Sequence, residues 1–422
     1  MGAAAALGGC SAGPHSEDVG EVVANILVAP PSVRCISFHA TTSSSSVIRN
    51  FDVTPGSSVS FALTGLTIGA NTISAQAFNL GCANVGTNAA TYVAEPVSVN
   101  VGGVTSVTLA MHPAGTSASV TATVTFPDPT GFVTEFALPG PSASIHALAP
   151  GPDGALWFLE TSDVGKLYTT GAIITFPFPS FLGTPGRITA GPDGYMWLTG
   201  DNRIVKVTTD GSTFIDFAVP TPNAGVGGIT TGGDGNLWFT ETSAAKVGRY
   251  EIGTNTFTEF ALPSRSVPSE ITAGPDGNVW FTDQGRNSIE RMTPTGTLTD
   301  FIIPTASSTP FGITVGGFSS VWFTELTGTR IGRITLGNQL AEFGLTPGSQ
   351  PSDIAGGPDG NLWFVIPNSN KIGRFNPITN TFTYFGVPSS FALTSGATIV
   401  RGPDAGIWFT ELGVGKIARI TP

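Results

Sequence analysis

Short apolar and polar runs alternate along residues 131–422 in a unit that repeats. In the clearest copy, an apolar strand from Ile271 leads into the turn Gly274-Pro-Asp-Gly277, where Pro presets φ and Gly accepts a positive φ. The next strand, Asn278 to Asp283, alternates between its two faces, and strands Ser288 to Met292 and Thr299 to Pro304 follow. The unit therefore predicts a four-stranded antiparallel sheet.

Every tryptophan of the chain lies in one copy of this unit, and there are seven copies. Successive copies are about 40 to 45 residues apart, the period typical of four-stranded propeller blades. A fourth-strand sequence, Thr134 to Pro139, precedes the first copy, whereas the last copy ends at Pro422 without one. We therefore predict a closed seven-bladed β-propeller whose N-terminal strand completes the last blade. The tryptophans are Trp157, Trp197, Trp238, Trp280, Trp322, Trp363 and Trp408.

Residues 21–112 show a second alternating pattern, with short runs broken by Gly and Pro. Seven strands in about 95 residues favour an antiparallel, Ig-like β-sandwich, so the whole chain is expected to be all-β. Residues 1–20 are expected to form a signal-like segment and linker, residues 113–130 a linker or the last sandwich strand, and residues 131–422 the propeller. The predicted sandwich strands are Val22–Val28, Val33–Phe38, Val47–Val53, Val59–Leu63, Thr72–Ala77, Val97–Val101 and Val104–Met111.

Composition excludes two classes of partner. Charged residues make up 11% of the chain and its net charge is −11, which argues against nucleic acid because phosphate binding needs a basic surface. No apolar run reaches the roughly 18 residues of a membrane-spanning helix. We expect a monomer that contacts a membrane only through a lipid anchor.

The cysteines point to export. Cys35 and Cys82 lie in the N-terminal β region and predict a disulfide, with two buried free thiols as the alternative. Cys10 follows Ala6-Leu-Gly-Gly, which resembles the lipobox of bacterial lipoproteins, although the residues before it lack the positive start of a signal peptide. Lipidation of Cys10 and a chance match are therefore both open. The prediction is an exported protein, at the bacterial cell envelope or secreted.

The repeated phrases G-P-D-G-N-L-W-F-T-E, K-I-G-R-I and T-E-F-x-x-P resemble those of the virginiamycin B lyase (streptogramin lyase) family. The resemblance covers about residues 131–422 and implies a seven-bladed propeller. It also implies that the lactone ring of type B streptogramins is opened by elimination, with a histidine base and a bound Mg²⁺. Family members carry these functional residues as Pro-His at the start of the inner strand in two neighbouring blades, with two glutamates nearby.

Only His146 matches a family histidine in this chain. Ser144 stands where the family has a glutamate, Ile145 where it has proline, and Ala397 where it has the second histidine. Glu160, at the end of the next strand, is the candidate partner of His146 as a general base. The alternative is that His146 is a structural histidine at a blade rim.

Other charged residues fall near the same predicted rim. An acid stands three residues after the tryptophan in five blades, and these acids either hold a divalent cation or belong to the blade itself. Three further charged residues, Arg187, Glu270 and Asp353, interrupt small residues beside the inner-strand starts and predict ligand-specific contacts. The five acids are Glu160, Glu241, Asp283, Glu325 and Glu411.

Two functions are left open by the sequence. The first is a non-catalytic platform that binds a small molecule, a glycan or an envelope protein at the propeller mouth. The second is an enzyme, either a lyase that uses Mg²⁺ or a propeller lactonase or hydrolase. Beyond Mg²⁺ in the lyase case, the sequence assigns no metal or cofactor.

Overall fold

A computed structural model gives the fold. The structure describes residues 19–26, 33–41, 46–54, 59–67, 69–78, 82–84, 92–94, 97–101, 106–113, 120–125, 131–139, 145–179 and 183–422. Cys10 and Ser144 lie outside these residues. The chain divides into two compact units, Met1–Phe132 and Val133–Pro422, which are described separately. No helix in the described part is long and apolar enough to cross a membrane.

Nine strands of the first unit form one antiparallel network in the order β3-β2-β5-β6-β8-β9-β1-β4, with β7 paired to β5. Each of the seven predicted strands overlaps an observed one. Strand β6 is additional, and β9 lies within residues 113–130, for which a last strand was the alternative to a linker. Their layering as a sandwich stays a prediction. The strands are β1 (Val19–Ile26), β2 (Cys35–Thr41), β3 (Ser46–Asp52), β4 (Val59–Thr67), β5 (Gly69–Phe78), β6 (Tyr92–Ala94), β7 (Val97–Val101), β8 (Ser106–Pro113) and β9 (Val120–Thr125).

The predicted disulfide is present in this unit. Cys35, at the start of β2, is bonded to Cys82 in the 3₁₀ turn Cys82–Asn84, and their Cα atoms are 5.0 Å apart. The amide of Cys82 also donates to Asp52 Oδ1 at 2.6 Å. The bond therefore joins the turn to the end of the β2–β3 hairpin.

The second unit contains seven four-stranded antiparallel sheets. Neighbouring inner strands contact one another in sequence, and the first also contacts the last, so the sheets form a closed seven-bladed ring. Blades 1 to 3 are β11 (Ile145–Pro150), β12 (Leu156–Glu160), β13 (Asp163–Leu167) and β14 (Ile173–Pro177); β15 (Ile188–Ala190), β16 (Met196–Gly200), β17 (Arg203–Val207) and β18 (Phe214–Ala218); and β19 (Val226–Thr231), β20 (Leu237–Glu241), β21 (Lys246–Glu251) and β22 (Thr256–Ala261).

Blades 4 to 7 follow the same plan, with a 3₁₀ turn before the second strand of blade 5 (Gly317–Ser319) and another after that of blade 6 (Pro367–Ser369). Their strands are β23 (Pro268–Ala273), β24 (Val279–Asp283), β25 (Ser288–Met292) and β26 (Leu298–Ile302); β27 (Pro310–Gly316), β28 (Ser320–Glu325), β29 (Arg330–Ile334) and β30 (Leu340–Gly344); β31 (Ile354–Gly356), β32 (Leu362–Ile366), β33 (Lys371–Asn376) and β34 (Thr381–Gly386); and β35 (Ile399–Arg401), β36 (Ile407–Glu411), β37 (Lys416–Ile420) and β10 (Val133–Ala137).

The ring closes as the sequence predicts. Strand β10 pairs antiparallel with β37, from Val133 opposite Ile420 to Ala137 opposite Lys416. The first strand of the second unit is therefore the outer strand of blade 7. Closure of this kind leaves no unpaired seam between the two ends of the ring.

The tryptophan of each blade is buried and packs between neighbouring blades. Trp408 of blade 7, for example, clusters with Leu148 and Phe158 of blade 1. In six blades the indole Nε1 donates to the aspartate of the preceding turn, as Trp280 does to Asp276 at 3.0 Å. The aspartate thus satisfies a buried donor, which explains why the turn phrase repeats with the tryptophan.

Blade 5 lacks this hydrogen bond and so allows a comparison with the other six blades. Phe318 stands in the place of the turn aspartate and is exposed, and Trp322 Nε1 has no hydrogen-bond partner in the described part of the chain. We predict that Asp276→Ala lowers the free energy of unfolding by about 2 kcal/mol, because it leaves a buried indole N–H unpaired. Phe318→Ala should change it by less than about 0.5 kcal/mol. Urea unfolding of both variants tests the difference, and equal effects would refute this role of the aspartate.

Candidate functional site

The inner strands of the blades begin around one end of the central channel, which is called the channel mouth. A threonine near the end of the second strand holds the start of the inner strand there. Thr199 Oγ1 accepts from the amide of Arg187 at 2.7 Å and donates to the Gly227 carbonyl of the next blade at 2.9 Å. Thr282 likewise accepts from the Glu270 amide at 3.1 Å. These hydroxyls hold the backbone that carries the charged residues. Their role was missed in the sequence, although the threonine of W-F-T-E signalled it.

Arg187 and Glu270 form an ion pair across the channel mouth, although they belong to blades 2 and 4. Arg187 Nε donates to Glu270 Oε1 at 2.8 Å, and its Nη2 donates to the same oxygen. Blade 3 has Gly228 at this level, where a Cβ would lie only 2.8 Å from the carbonyl oxygen of Ser269. Blade 3 therefore presents no side chain between the ion-pair partners.

The charge of Arg187 is strongly favoured at this position. Burial opposes the charged form, but the negative charges of Glu270 and Asp353 outweigh it, and the pKa of Arg187 is raised above its usual value. Arg187 Nη1 also donates to the His146 carbonyl at 3.1 Å. One guanidinium thus connects blades 1, 2 and 4.

Asp353 is the third charged residue of the group. Its Oδ1 accepts from the Ile354 amide at 2.8 Å and its Oδ2 from the Ile399 amide of blade 7 at 3.0 Å. Burial, followed by repulsion from Glu270, raises the pKa of Asp353 to about 7, although both amides and Arg187 favour its carboxylate. Near neutral pH this group therefore exists in both protonation states.

Arg187, Glu270 and Asp353 line one cavity of about 450 Å³ at the centre of the ring. All seven inner strands contribute to its wall, which also contains aliphatic side chains such as Ile188, Ile313 and Ile399. A volume of this size lies in the range of small-molecule pockets, where apolar walls surround a few polar groups. The structure thus brings together the three charged residues that the sequence singled out.

His146 lies at a bulge where β11 pairs with β12. Ile145 is opposite Glu160 and Ala147 is opposite Leu159, so His146 and Glu160 are close in register as expected. The imidazole Nε2 shares a hydrogen bond with Thr161 Oγ1 at 3.3 Å. Burial, and then the positive charge of Arg187, lower the pKa of His146, which favours its neutral form.

The repeated acids, which were expected at the channel mouth, are not among the residues that line this cavity. Glu241 is fully buried, and its Oε1 lies over Gly248 of the third strand, away from the inner strand. Burial, and then the charge of Glu259 on the fourth strand, raise the pKa of Glu241 to about 7. The other four repeated acids, Glu160, Asp283, Glu325 and Glu411, are also buried and absent from the cavity wall.

The residues present do not fit the Mg²⁺ that the family resemblance implies. No group of three or more His, Cys, Asp or Glu side chains in the described part of the chain has the geometry of a metal site. Glu160 is buried, and burial followed by the charge of Asp163 raises its pKa. Ala397, which the resemblance matches to the second histidine, is buried.

A family model named the virginiamycin B lyase family matches residues 123–267 and 252–422. These two matches span all seven blades. The chain belongs to the virginiamycin B lyase family. Its propeller carries the Arg187, Glu270 and Asp353 group at the central cavity.

Solved lyase structures support the same assignment. A streptogramin B lyase is 31% identical, with a TM-score of 0.64, over 69% of this chain and 97% of its own. A catalytically inactive histidine-to-alanine variant of virginiamycin B lyase from Staphylococcus aureus, with quinupristin, shows the same identity and TM-score over 69% of this chain and 99% of its own. The matched part of this chain is thus about as long as a complete lyase.

More distant matches show the fold alone. Hydrazine synthase from Kuenenia stuttgartiensis is 11% identical, with a TM-score of 0.55, over 68% of this chain and 98% of its own. No curated protein sequence matches this family member.

Proposed function

We propose that this protein is a ligand-binding propeller, a non-catalytic platform that binds a small molecule at the channel mouth. The observation that carries the proposal is the convergence of Arg187, Glu270 and Asp353 in one cavity of about 450 Å³. Three different blades supply these residues. The other four blades have uncharged residues at the equivalent position of the inner strand. A group of charges that the repeat does not require is more typical of a ligand site than of the blade scaffold.

The chemistry of the cavity favours a ligand with a polar head and an apolar body. Glu270 and Asp353 accept hydrogen bonds, Arg187 donates them, and the isoleucines of the wall favour apolar groups. The ion pair is partly exposed, with 25% of the Arg187 side chain and 19% of the Glu270 side chain accessible. A ligand therefore meets charged groups that are already oriented, which lowers the entropic cost of binding.

We further propose that the platform works outside the cytoplasm, at the bacterial cell envelope. The Cys35–Cys82 disulfide supports an oxidising compartment. Lipidation of Cys10 would anchor it to a membrane, and mass spectrometry of cell-derived protein that found an unmodified Met1 would refute the anchor. A glycan or an envelope protein remains a candidate partner for the same mouth.

A small-molecule library, screened by thermal shift and followed by calorimetry, tests the platform. We predict a ligand whose affinity falls at least tenfold in Arg187→Ala, because charge-assisted hydrogen bonds contribute about 1.5–3 kcal/mol each. Arg203→Ala is the matched control, since Arg203 pairs with Asp216 in the same blade but outside the cavity wall. A ligand that binds both variants equally, or no ligand at all, would contradict the proposal.

Streptogramin opening is the second candidate, and the neutral imidazole of His146 favours it. A neutral histidine at the mouth is in the protonation state of a general base. Incubation with a type B streptogramin and Mg²⁺ distinguishes the two functions. The platform proposal predicts no ring-opened product beyond that of His146→Ala, whereas product that requires His146 would establish the lyase.

A further inference from the structure

Blade 3 contains a carboxylate held by three donors at its outer edge. Glu259 Oε1 accepts from the Thr221 amide at 2.9 Å, and its Oε2 accepts from Thr221 Oγ1 at 2.6 Å. Lys246 Nζ donates to the same Oε2 at 2.7 Å. Glu259 is the glutamate of the repeated T-E-F phrase, and Lys246 begins the K-V-G-R phrase.

Blade 7 repeats this arrangement. Glu135 accepts from the amide and the hydroxyl of Ser389, both at 2.8 Å, and from Lys416 Nζ at 2.6 Å. Two blades therefore build the same carboxylate position, with an amide, a hydroxyl and an ammonium group as its donors. The position belongs to the repeat and is not an accident of one blade.

Blade 6 retains the ammonium group and lacks the carboxylate. Tyr384 lies opposite Gly373, the register that Glu259 has with Gly248 in blade 3. Pro347, which has no amide hydrogen, stands where blade 3 has Thr221, and Ile366 stands where blade 3 has Glu241. Lys371 has no ion pair with any residue that the structure describes.

A cavity of about 180 Å³ lies at this position in blade 6. The residues that line it include Lys371, Ile366, Ser369 and Tyr384. A cavity of this volume has room for several water molecules or for a small organic anion. The cavity therefore combines an unpaired cation with hydroxyl groups and an apolar side.

We propose that the blade 6 cavity binds the carboxylate of a small organic acid. The carboxylate pairs with Lys371, as Glu259 pairs with Lys246 in blade 3, and the hydroxyls of Ser369 and Tyr384 are the further donors. The apolar part of the acid packs against Ile366 and the Tyr384 ring. This site is separate from the channel mouth and does not depend on the function proposed there.

Benzoate is a suitable probe. Its binding to the full chain is measured by ligand-observed NMR at low ionic strength. We predict saturable binding that weakens at least tenfold in Lys371→Gln, since a charge-assisted contact contributes about 1.5–3 kcal/mol. Tyr384→Glu should also abolish binding, because it supplies the carboxylate that the repeat has in blades 3 and 7. Added salt should weaken binding to the wild type, as screening of an accessible charge requires.

Lys246→Gln is the matched control, because Lys246 is already paired, and it should leave benzoate binding unchanged. Circular dichroism checks that each variant is folded. Saturable binding that Lys371→Gln and Tyr384→Glu leave intact would overturn the proposal, as would the absence of saturable binding to the wild type. Equal binding of an aliphatic acid such as acetate would refute the apolar contact.

Discussion

A chain that begins at Gly131 should fold as a cooperative propeller, whereas one that begins at Gly140 should unfold at a much lower temperature. The shorter chain lacks β10, the outer strand of blade 7, which pairs with β37 through five residue pairs. It also loses Phe136, whose ring stacks on Trp408 at 5.3 Å. The chain from Gly131 keeps all four strands of every blade.

The expected loss of stability follows from the contacts that β10 makes with the rest of blade 7. Removing a buried phenylalanine side chain costs about 3–5 kcal/mol, and Phe136, which is only partly buried, should cost less. Losing the strand also leaves β37 as an unpaired edge. The ion pair of Glu135 with Lys416 is lost as well. Thermal and urea unfolding of both chains measures the difference, with Phe136→Ala in the full chain as the intermediate case. Equal melting temperatures would show that β10 does not close the ring.

Stability should fall as the pH rises from about 5 to 9. Burial is the largest cause that raises the pKa of Glu241 to about 7 and those of Glu290, Glu325 and Glu411 to about 8, from a usual 4.5. Between these values the folded state binds more protons than the unfolded chain. Their stabilising contribution is therefore complete below pH 4.5 and is lost as the pH rises through 7 to 8.

Other carboxyl groups determine how the free energy of unfolding falls at acid pH. Contacts with Trp280 and Asn278 outweigh burial and lower the pKa of Asp276, so its contribution is lost only as the pH falls below its usual 3.8. The maximum of stability is therefore expected near pH 5. One unit of pKa corresponds to about 1.4 kcal/mol, so each raised group should cost more than about 1 kcal/mol between pH 5 and 9.

Glutamine variants test the origin of the slope. Glu325→Gln and Glu411→Gln remove the charge at nearly constant volume, so each should flatten the fall in the free energy of unfolding between pH 6 and 9. Glu251→Gln is the control, because Glu251 is only partly buried and lies at the end of the third strand of blade 3. A wild-type free energy of unfolding that stays level or rises over this range would contradict the assignment.

The propeller was predictable because its signals are local and repeated. The turn at Gly274 to Gly277, the buried Trp280 and the strand after it recur at a fixed spacing, and the missing last strand pointed directly to β10. In the first unit most strands were predictable, but β6 was not, and the limits of the predicted strands moved by up to several residues. Pairing partners there, such as β9 with β1, depend on contacts far apart in sequence.

The candidate site was predictable only in part. Arg187, Glu270 and Asp353 were identifiable because they replace small residues of the repeat. The ion pair between blades 2 and 4 was not, since it depends on the bare backbone at Gly228 and on distances across the channel. Acids such as Glu241 were placed at the correct end of their strands, but their side chains are directed toward the outer strands.

The blade 6 cavity is marked in the sequence by three departures from the repeat, which no single motif shows together. Tyr384 in place of a glutamate, Pro347 in place of a threonine and Ile366 in place of another glutamate fall on separate segments. Only the observed register of blade 3 relates these positions to one another and to Lys371. Comparison of the blades with each other was therefore required to find it.

A crystal structure of the full chain with the molecule found in the binding screen tests the central claim most directly. The account predicts density for that molecule at the channel mouth, in contact with Arg187, Glu270 and Asp353. Density confined to another surface, with the Arg187–Glu270 pair and its cavity unchanged, would contradict the channel mouth as the ligand site.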